Sequence, residues 1–283
     1  MGYPPTATAQ ADWNAEAGQT WAQFQEQLDR QMAPLGLEAI RELAPAAGEH
    51  ILDIGCGCGQ TSMELAGLVG LSGRVVGIDI STPMLEVALR RTALLSAPRP
   101  EFRQVDAQVG DLGRAVYDAA FSRFGVMFFD DPVAAFANIA ASLKPSGRLI
   151  FVCWRALEGN PWIHAPLKAV QQLLPSSPPL DPTAPGPFAF ADSGRLRSIL
   201  IAAGFSTVKI RPFDSSIGGA GIDDTVRLTC RLGPVAAALR ERPDMYEAAA
   251  NAVTRVIAPY STPTGVLMPA AVWIVSGSLE RRT

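Results

Sequence analysis

Three aspartates, Asp53, Asp79 and Asp106, fall within or just after short apolar runs, and a glycine turn follows the first of them. The segment Ile51-Leu52-Asp53-Ile54-Gly55-Cys56-Gly57-Cys58-Gly59-Gln60-Thr61 reads as a strand running into that turn and then into a helix. Glycine at three alternate positions gives the backbone conformations closed to residues with a Cβ and lets a ligand approach the main chain. The helix behind it offers unpaired N–H groups at its start. Asp79 lies 20 residues beyond Gly59, at the end of the second run. There a carboxylate can accept hydrogen bonds from both hydroxyls of a ribose, or cap the helix that begins near Pro83. Asp106-Ala107-Gln108 follows the third run, where it either reads an adenine amino group or holds a turn. The chemistry of the set is that of a nucleoside-containing cofactor.

The spacing narrows the choice. The glycines form G-x-G-x-G with Asp53 two residues ahead, not the G-x-G-x-x-G of a dinucleotide fingerprint. Phe121-Ser122-Arg123-Phe124-Gly125-Val126-Met127-Phe128-Phe129 carries a fourth strand into an apolar loop at the same edge. Together these residues resemble the class I S-adenosylmethionine-dependent methyltransferases, and particularly the bacterial small-molecule group that includes ubiquinone and menaquinone biosynthesis methyltransferases. The resemblance covers Glu49 to Trp154 and extends more loosely to the preceding Trp-rich helix and to Gly186-Pro187-Phe188 through Ala203-Gly204-Phe205. It implies S-adenosyl-L-methionine as cofactor and S-adenosyl-L-homocysteine as product. It further implies that Asp53, Gly55, Cys56, Gly57 and Gly59 hold the methionine portion and ribose. Asp79, flanked by Ser81 and Met84, would take the ribose, and Asp106 and Ala107 the adenine edge. Ser122 would stand near the methionine carboxylate or the sulfonium, assisted by Arg123. Met84 is equally read as core, and Trp13 and Trp21, at helical spacing, either pack the core or cover the cofactor, with Trp21 the better placed.

Methyl transfer needs a base only where the acceptor must lose a proton. His164, in Asn160-Pro161-Trp162-Ile163-His164 after the fifth strand, is the candidate, against a packed or solvated histidine; His50 precedes the first strand at the far end of the sheet and reads as structural. Trp154, Trp162, Phe188, Phe190, Tyr246, Tyr260 and Trp273 either line an acceptor pocket or make a second core. Arg227 and Arg231, at i,i+4, either clamp an acidic substrate or lie on the surface. Cys56, Cys58, Cys153 and Cys230 form no disulfide framework and no second half of a metal site, so no metal is expected.

The elements that must position these groups follow from periodicity. Strands are expected at Ile51–Ile54, Arg74–Ile80, Glu101–Val105, Tyr117–Ser122, Arg148–Trp154, Phe205–Phe213 and Gly265–Ser276. Helices are expected at Thr61–Val69, Pro83–Leu95, Pro132–Leu143, Asp192–Ala203, Asp223–Leu232, Val235–Arg240 and Met245–Ile257. An amphipathic segment over Asp12–Leu43 is interrupted by Pro34, and Lys144-Pro145-Ser146-Gly147 closes a helix and turns into the next strand. Pro175–Pro187 holds six prolines and reads as a stiff loop, a lid hinge or a plain connection. The expected fold is a Rossmann-like three-layer α/β sandwich, a mostly parallel seven-stranded sheet with an antiparallel last strand, plus a helical cap. The expected division is an N-terminal cap segment (1–45), a cofactor core (46–155), a lid or linker (156–190) and a sheet-completing part (191–283) with a helical insertion near 221–260.

A chain of 283 residues with 48% hydrophobic content builds a sizeable core, and a net charge of -3 without a basic block argues against nucleic acid. No apolar run reaches the roughly 18 to 20 residues of a membrane span, and the start of the chain lacks a leader pattern; a cytoplasmic enzyme is expected, with a small-molecule methyl acceptor as partner and room for a homodimer surface. An NAD-dependent oxidoreductase and a cofactor-binding regulatory protein are the competing functions.

Overall fold

The computed structural model describes residues 13–174 and 183–280. Parallel strands need crossovers of a dozen or more residues, and the chain supplies helices for them. After α1 (Glu16–Gln23) and α2 (Gln25–Leu43) come β1 (His50–Ile54), α3 (Gln60–Val69), β2 (Arg74–Asp79), α4 (Thr82–Ala93), β3 (Glu101–Gln104), β4 (Tyr117–Arg123), α5 (Pro132–Ser142) and β5 (Leu143–Trp154). Then follow α6 (Pro161–Gln171), α7 (Ser193–Ala202), β6 (Thr207–Ala220), α8 (Ile222–Arg231), α9 (Gly233–Arg240), α10 (Tyr246–Ile257), the two-residue β7 (Ser261–Thr262) and β8 (Gly265–Ser278). The sheet order is β3-β2-β1-β4-β5-β8-β6, with β7 beside β8. β8 runs antiparallel to both β5 and β6, so the last strand alone reverses the main path.

Side chains alternate across a strand, and β5 shows both faces covered. Phe151 stacks on Phe136 of α5, while Arg148, three residues earlier and on the opposite face, bonds the Leu43 carbonyl at the end of α2 and the Glu49 carboxylate. Three layers result. A second apolar cluster joins α6, α8, α9 and α10 through Leu167, Val170, Val226, Cys230, Leu239 and Val253. These helices form a cap with a core of its own.

Three local expectations are corrected. Pro34 does not interrupt α2, whose 19 residues run through it; only one amide bond is lost, and burial of Leu35, Gly36 and Ala39 beside it holds the helix. The break lies at Phe24, between α1 and α2. Lys144–Gly147 are not a closing turn but belong to β5, where the pairing register with β4 shifts between Tyr117 and Ala119, a bulge. β6 runs seven residues past the expected Phe213, to Ala220. Residues 1–12 of the expected cap segment and residues 175–182 of the proline-rich interval lie outside the described residues.

Candidate active site

The sheet order reverses between β1 and β4, the point at which open α/β sheets leave a crevice at the carboxyl ends of their strands. The two loops there nearly touch: a Cβ on Gly55, whose φ is +65°, would stand 2.6 Å from the Cα of Gly125. Gly57 donates its N–H to Oδ2 of Asp79 at 2.8 Å, tying the glycine turn to the end of β2. A Cβ on Gly57 would meet Met84 at 2.7 Å, so the turn is shaped by close approach as well as by positive φ. Gly59 packs against Phe102 and Ala88 instead. Burial keeps the Cys56 thiol well above its ordinary pKa and pushes Cys58 up to about 12, so both side chains are inert walls.

Asp53 is fully buried behind this turn. Its Oδ2 accepts hydrogen bonds from Thr61 and Ser62 at 2.7 and 2.6 Å, while its Oδ1 has no partner. Burial outweighs those hydroxyls and pushes its pKa up to about 6, from an ordinary 3.8. Between those values the folded chain holds a proton that the unfolded chain has released. Stability therefore falls as pH rises from about 4 to about 6 and is level above, by on the order of 3 kcal/mol. Asp53→Asn keeps an acceptor and cannot ionise. We expect it to melt several degrees above the wild type at pH 8 in scanning calorimetry, with the gap narrowing towards pH 4; a gap independent of pH contradicts this.

Asp79 accepts from Gly57 with one oxygen and from the Ser81 N–H, at 2.9 Å, with the other, and the residue lines the main cavity. Burial raises its pKa against these backbone bonds. Met84, Asp106 and Ala107 also line the cavity. Asp106 holds a turn through the Gln108 N–H at 2.8 Å, and Asn138 fixes the loop by bonding the carbonyls of Ala107 and Gly110. Trp21 of α1 and Trp13, three residues ahead of that helix, stand edge to face with centroids 6.1 Å apart and line the cavity, Trp13 packing on Phe128 in turn.

Four predicted residues line neither the cavity nor the crevice: Asp53 and Gly59, described above, and two serines. The Ser81 hydroxyl donates to the Trp13 carbonyl at 2.7 Å, docking the N-terminal segment, and does not line the cavity. Ser122 is fully buried, donates to the Ile54 carbonyl at 2.8 Å and so joins β1 to β4. Its neighbour Arg123 reaches the space instead, lining both the cavity and a narrow crevice with Gly55, Cys56 and Gly57.

The cavity has a volume of about 1970 Å³ and runs from the glycine turn to the cap. Pockets that hold a single small ligand measure roughly 300 to 1,000 Å³, and this one is larger. His164 and Trp162 of α6, Trp154 and Phe188 line it. Of the other aromatics, Phe190 is buried against Phe136 and Phe151, Trp273 donates to the Ala191 carbonyl and Tyr260 packs on the cap core. Tyr246 is exposed. Arg231 lines the cavity, whereas Arg227 pairs with Asp224 on the surface. His50 lies at the start of β1, its N–H on Asp118.

Sequence reasoning passed over two features. Phe124 adopts φ +65°, rare for a residue with a Cβ, lines both cavity and crevice, and stacks on Trp154 at 4.1 Å. Asp29 of α2 bridges Arg91 at 2.9 Å and Arg123 at 3.6 Å across the crevice. Phe124 had a signal, a bulky residue just before a glycine at a strand end; Asp29 had none, since its partners lie on distant elements. Among the described residues no cluster of three or more metal-ligating side chains occurs, and no helix is long and apolar enough to cross a membrane.

Residues 51–147 match the methyltransferase domain family. An O-methyltransferase of Pyrenophora dematioidea is 37% identical over 115 residues, 40% of this chain and 42% of that protein. A demethylmenaquinone methyltransferase of Clavibacter sepedonicus is 30% identical over 227 residues, 73% of this chain and 90% of that protein. The chain spans 42% to 60% of the length of the first curated relatives it matches. Among solved structures, the YcgJ protein of Bacillus subtilis superimposes with a TM-score of 0.58 at 16% identity, over 87% of this chain and 99% of that one, which shows a common fold.

Proposed function

The chain belongs to the class I S-adenosylmethionine-dependent methyltransferases, and from that premise we propose that it methylates a small, apolar or aromatic metabolite by in-line displacement, with the acceptor held between the sheet edge and the cap. The observation that carries the reading is the single cavity of about 1970 Å³, wide enough for donor and acceptor together. The relatives named for methylation at oxygen and of demethylmenaquinone support a small acceptor. Nothing in the site favours the dinucleotide or the regulatory alternative. The four-part division of the chain belongs to the same proposal, the N-terminal segment and the insertion acting as two sides of one cap.

The residues present fit the cofactor: the turn at Gly55 and Gly57 admits a ligand against the main chain, and Asp79 and Asp106 at the cavity wall suit a cationic donor. In this reading Asp79 orients the ribose, Asp106, Ala107 and Met84 enclose the adenine, and Gly55, Cys56, Gly57 and Arg123 hold the methionine end. Asp53 supports that turn from behind. S-adenosylmethionine supplies an already electrophilic sulfonium methyl, so the work left to the protein is alignment and exclusion of water. Trp13, Trp21 and Phe128 exclude water on the donor side, and Phe124 with Trp154 walls the passage to the acceptor. The His164 imidazole, with no hydrogen-bond partner among the described residues, takes the proton of an acceptor hydroxyl.

A panel of phenolic and quinol acceptors with methyl-labelled cofactor tests this. The wild type is expected to label at least one hydroxyl acceptor, and His164→Ala to lower kcat for it about 100-fold or more while binding S-adenosylhomocysteine as tightly as before. Unchanged kcat would remove His164 from the chemistry. Tight cofactor binding with no labelled acceptor would favour the regulatory alternative.

A further inference from the structure

The charges around the cavity are sorted. The sheet side brings Asp79, Asp106 and Asp130 to its wall against Arg123 alone. The cap, with its N-terminal side, brings Lys168, Arg231, Arg240 and Arg242 against Glu16, Glu158 and Glu241. The acidic half suits a cationic donor, and the basic half is left for whatever enters from the cap. Arg242 is held by both carboxylate oxygens of Asp244, and Arg240 reaches Glu16 at 3.9 Å. Lys168 and Arg231 have no carboxylate partner among the described residues. They come from different helices, α6 and α8, each of which packs on α9 and α10, so both stand on the cap side of one cavity.

We propose that the acceptor is an acid: an aromatic molecule whose carboxylate is held by Lys168 and Arg231 at the cap rim, while its ring faces Phe124, Trp154 and Trp162. This deepens, and rests on, the methyl-transfer reading of the cavity. Trp162 lies 4.9 Å from Trp154, which stacks on Phe124 at the crevice mouth. Lys168 follows Trp162 by six residues, about 9 Å along a helix. The methylated end and the acidic end are thus at opposite ends of the acceptor, and a molecule of one ring with an adjacent acid is too short. Both cations are exposed at the rim, so they select the anion and steer its approach more than they bind it tightly.

The test uses the full chain saturated with S-adenosylhomocysteine, titrated with 6-hydroxy-2-naphthoic acid and with the matching carboxamide, which differ in charge and not in shape. The wild type is expected to bind the acid about ten-fold more tightly than the amide at low salt, with the preference shrinking in 0.5 M salt as screening sets in. In the double variant Lys168→Met, Arg231→Met the amide binds as before and the preference disappears. Arg227→Met, a cation outside the cavity, leaves it intact. Equal binding of acid and amide by the wild type, no binding of the acid, or a preference that survives the double variant overturns the proposal. Failure of the first saturation with S-adenosylhomocysteine would instead strike the methyl-transfer reading itself.

Discussion

Asp79→Ala is expected to weaken S-adenosylhomocysteine binding by at least about 100-fold in a calorimetric titration. The carboxylate has two tasks. It accepts from the backbone N–H groups of Gly57 and Ser81, which sets the glycine turn against the end of β2, and it presents its remaining lone pairs to the cavity. Hydrogen bonds to a charged group are each worth about 1.5 to 3 kcal/mol, and a factor of 100 corresponds to about 2.7 kcal/mol. Alanine removes the ligand's partner and frees the turn in one change. Asp79→Asn keeps one acceptor but turns an N–H group towards an N–H group, and is expected to lose about ten-fold. Binding within three-fold of the wild type in Asp79→Ala, with an unchanged melting temperature, would show that the ribose is held elsewhere.

Gly55→Ala is expected to destabilise the chain by about 3 kcal/mol in urea denaturation and to abolish cofactor binding. The left-handed conformation costs a residue with a Cβ roughly 1 to 2 kcal/mol. Here the added carbon also meets backbone, the Cα of Gly125 at 2.6 Å, so no side chain can rotate out of its way. The loops after β1 and β4 must separate, and the crevice between them opens. Gly67→Ala is the contrast. It sits inside α3 with nothing within 4 Å of the added carbon, and alanine is favoured over glycine in a helix by about 1 kcal/mol, so that variant is expected to be the more stable. Equal effects of the two substitutions would contradict the close approach at the switch point.

The contrast between these glycines marks what the sequence makes readable. The turn at Gly55–Gly59, the carboxylate of Asp79 and the alternation of strands and helices are local patterns, and the structure places them at one sheet edge as their spacing requires. Ser81 and Ser122 were harder. A serine hydroxyl bonds whatever carbonyl is near, and theirs belong to Trp13 and Ile54, each 68 residues away in sequence. The end of β6 is not legible because Ser215, Ser216, Gly218 and Gly219 are weak strand formers, yet pairing with β8 carries the strand on to Gly218 and, past a bulge at Gly219, to Ala220. Pro212 is tolerated there because β6 is the edge strand. Asp29 could not be paired with Arg91 and Arg123 from spacing at all, since the ion pair exists only once α2 lies across the glycine turn. The acceptor side shares this difficulty: its walls come from α6, α8 and α9, whose periodicity shows that they are amphipathic helices but not which polar residues face inward.

We propose that the edge formed by the glycine turn, Asp79 and Asp106 binds S-adenosylmethionine as methyl donor. The most direct measurement is a side-by-side calorimetric titration of the wild-type chain with S-adenosylhomocysteine and with NAD. Saturable one-to-one binding of S-adenosylhomocysteine, with no heat from NAD, is the predicted result. Saturable binding of NAD with none of S-adenosylhomocysteine would contradict it.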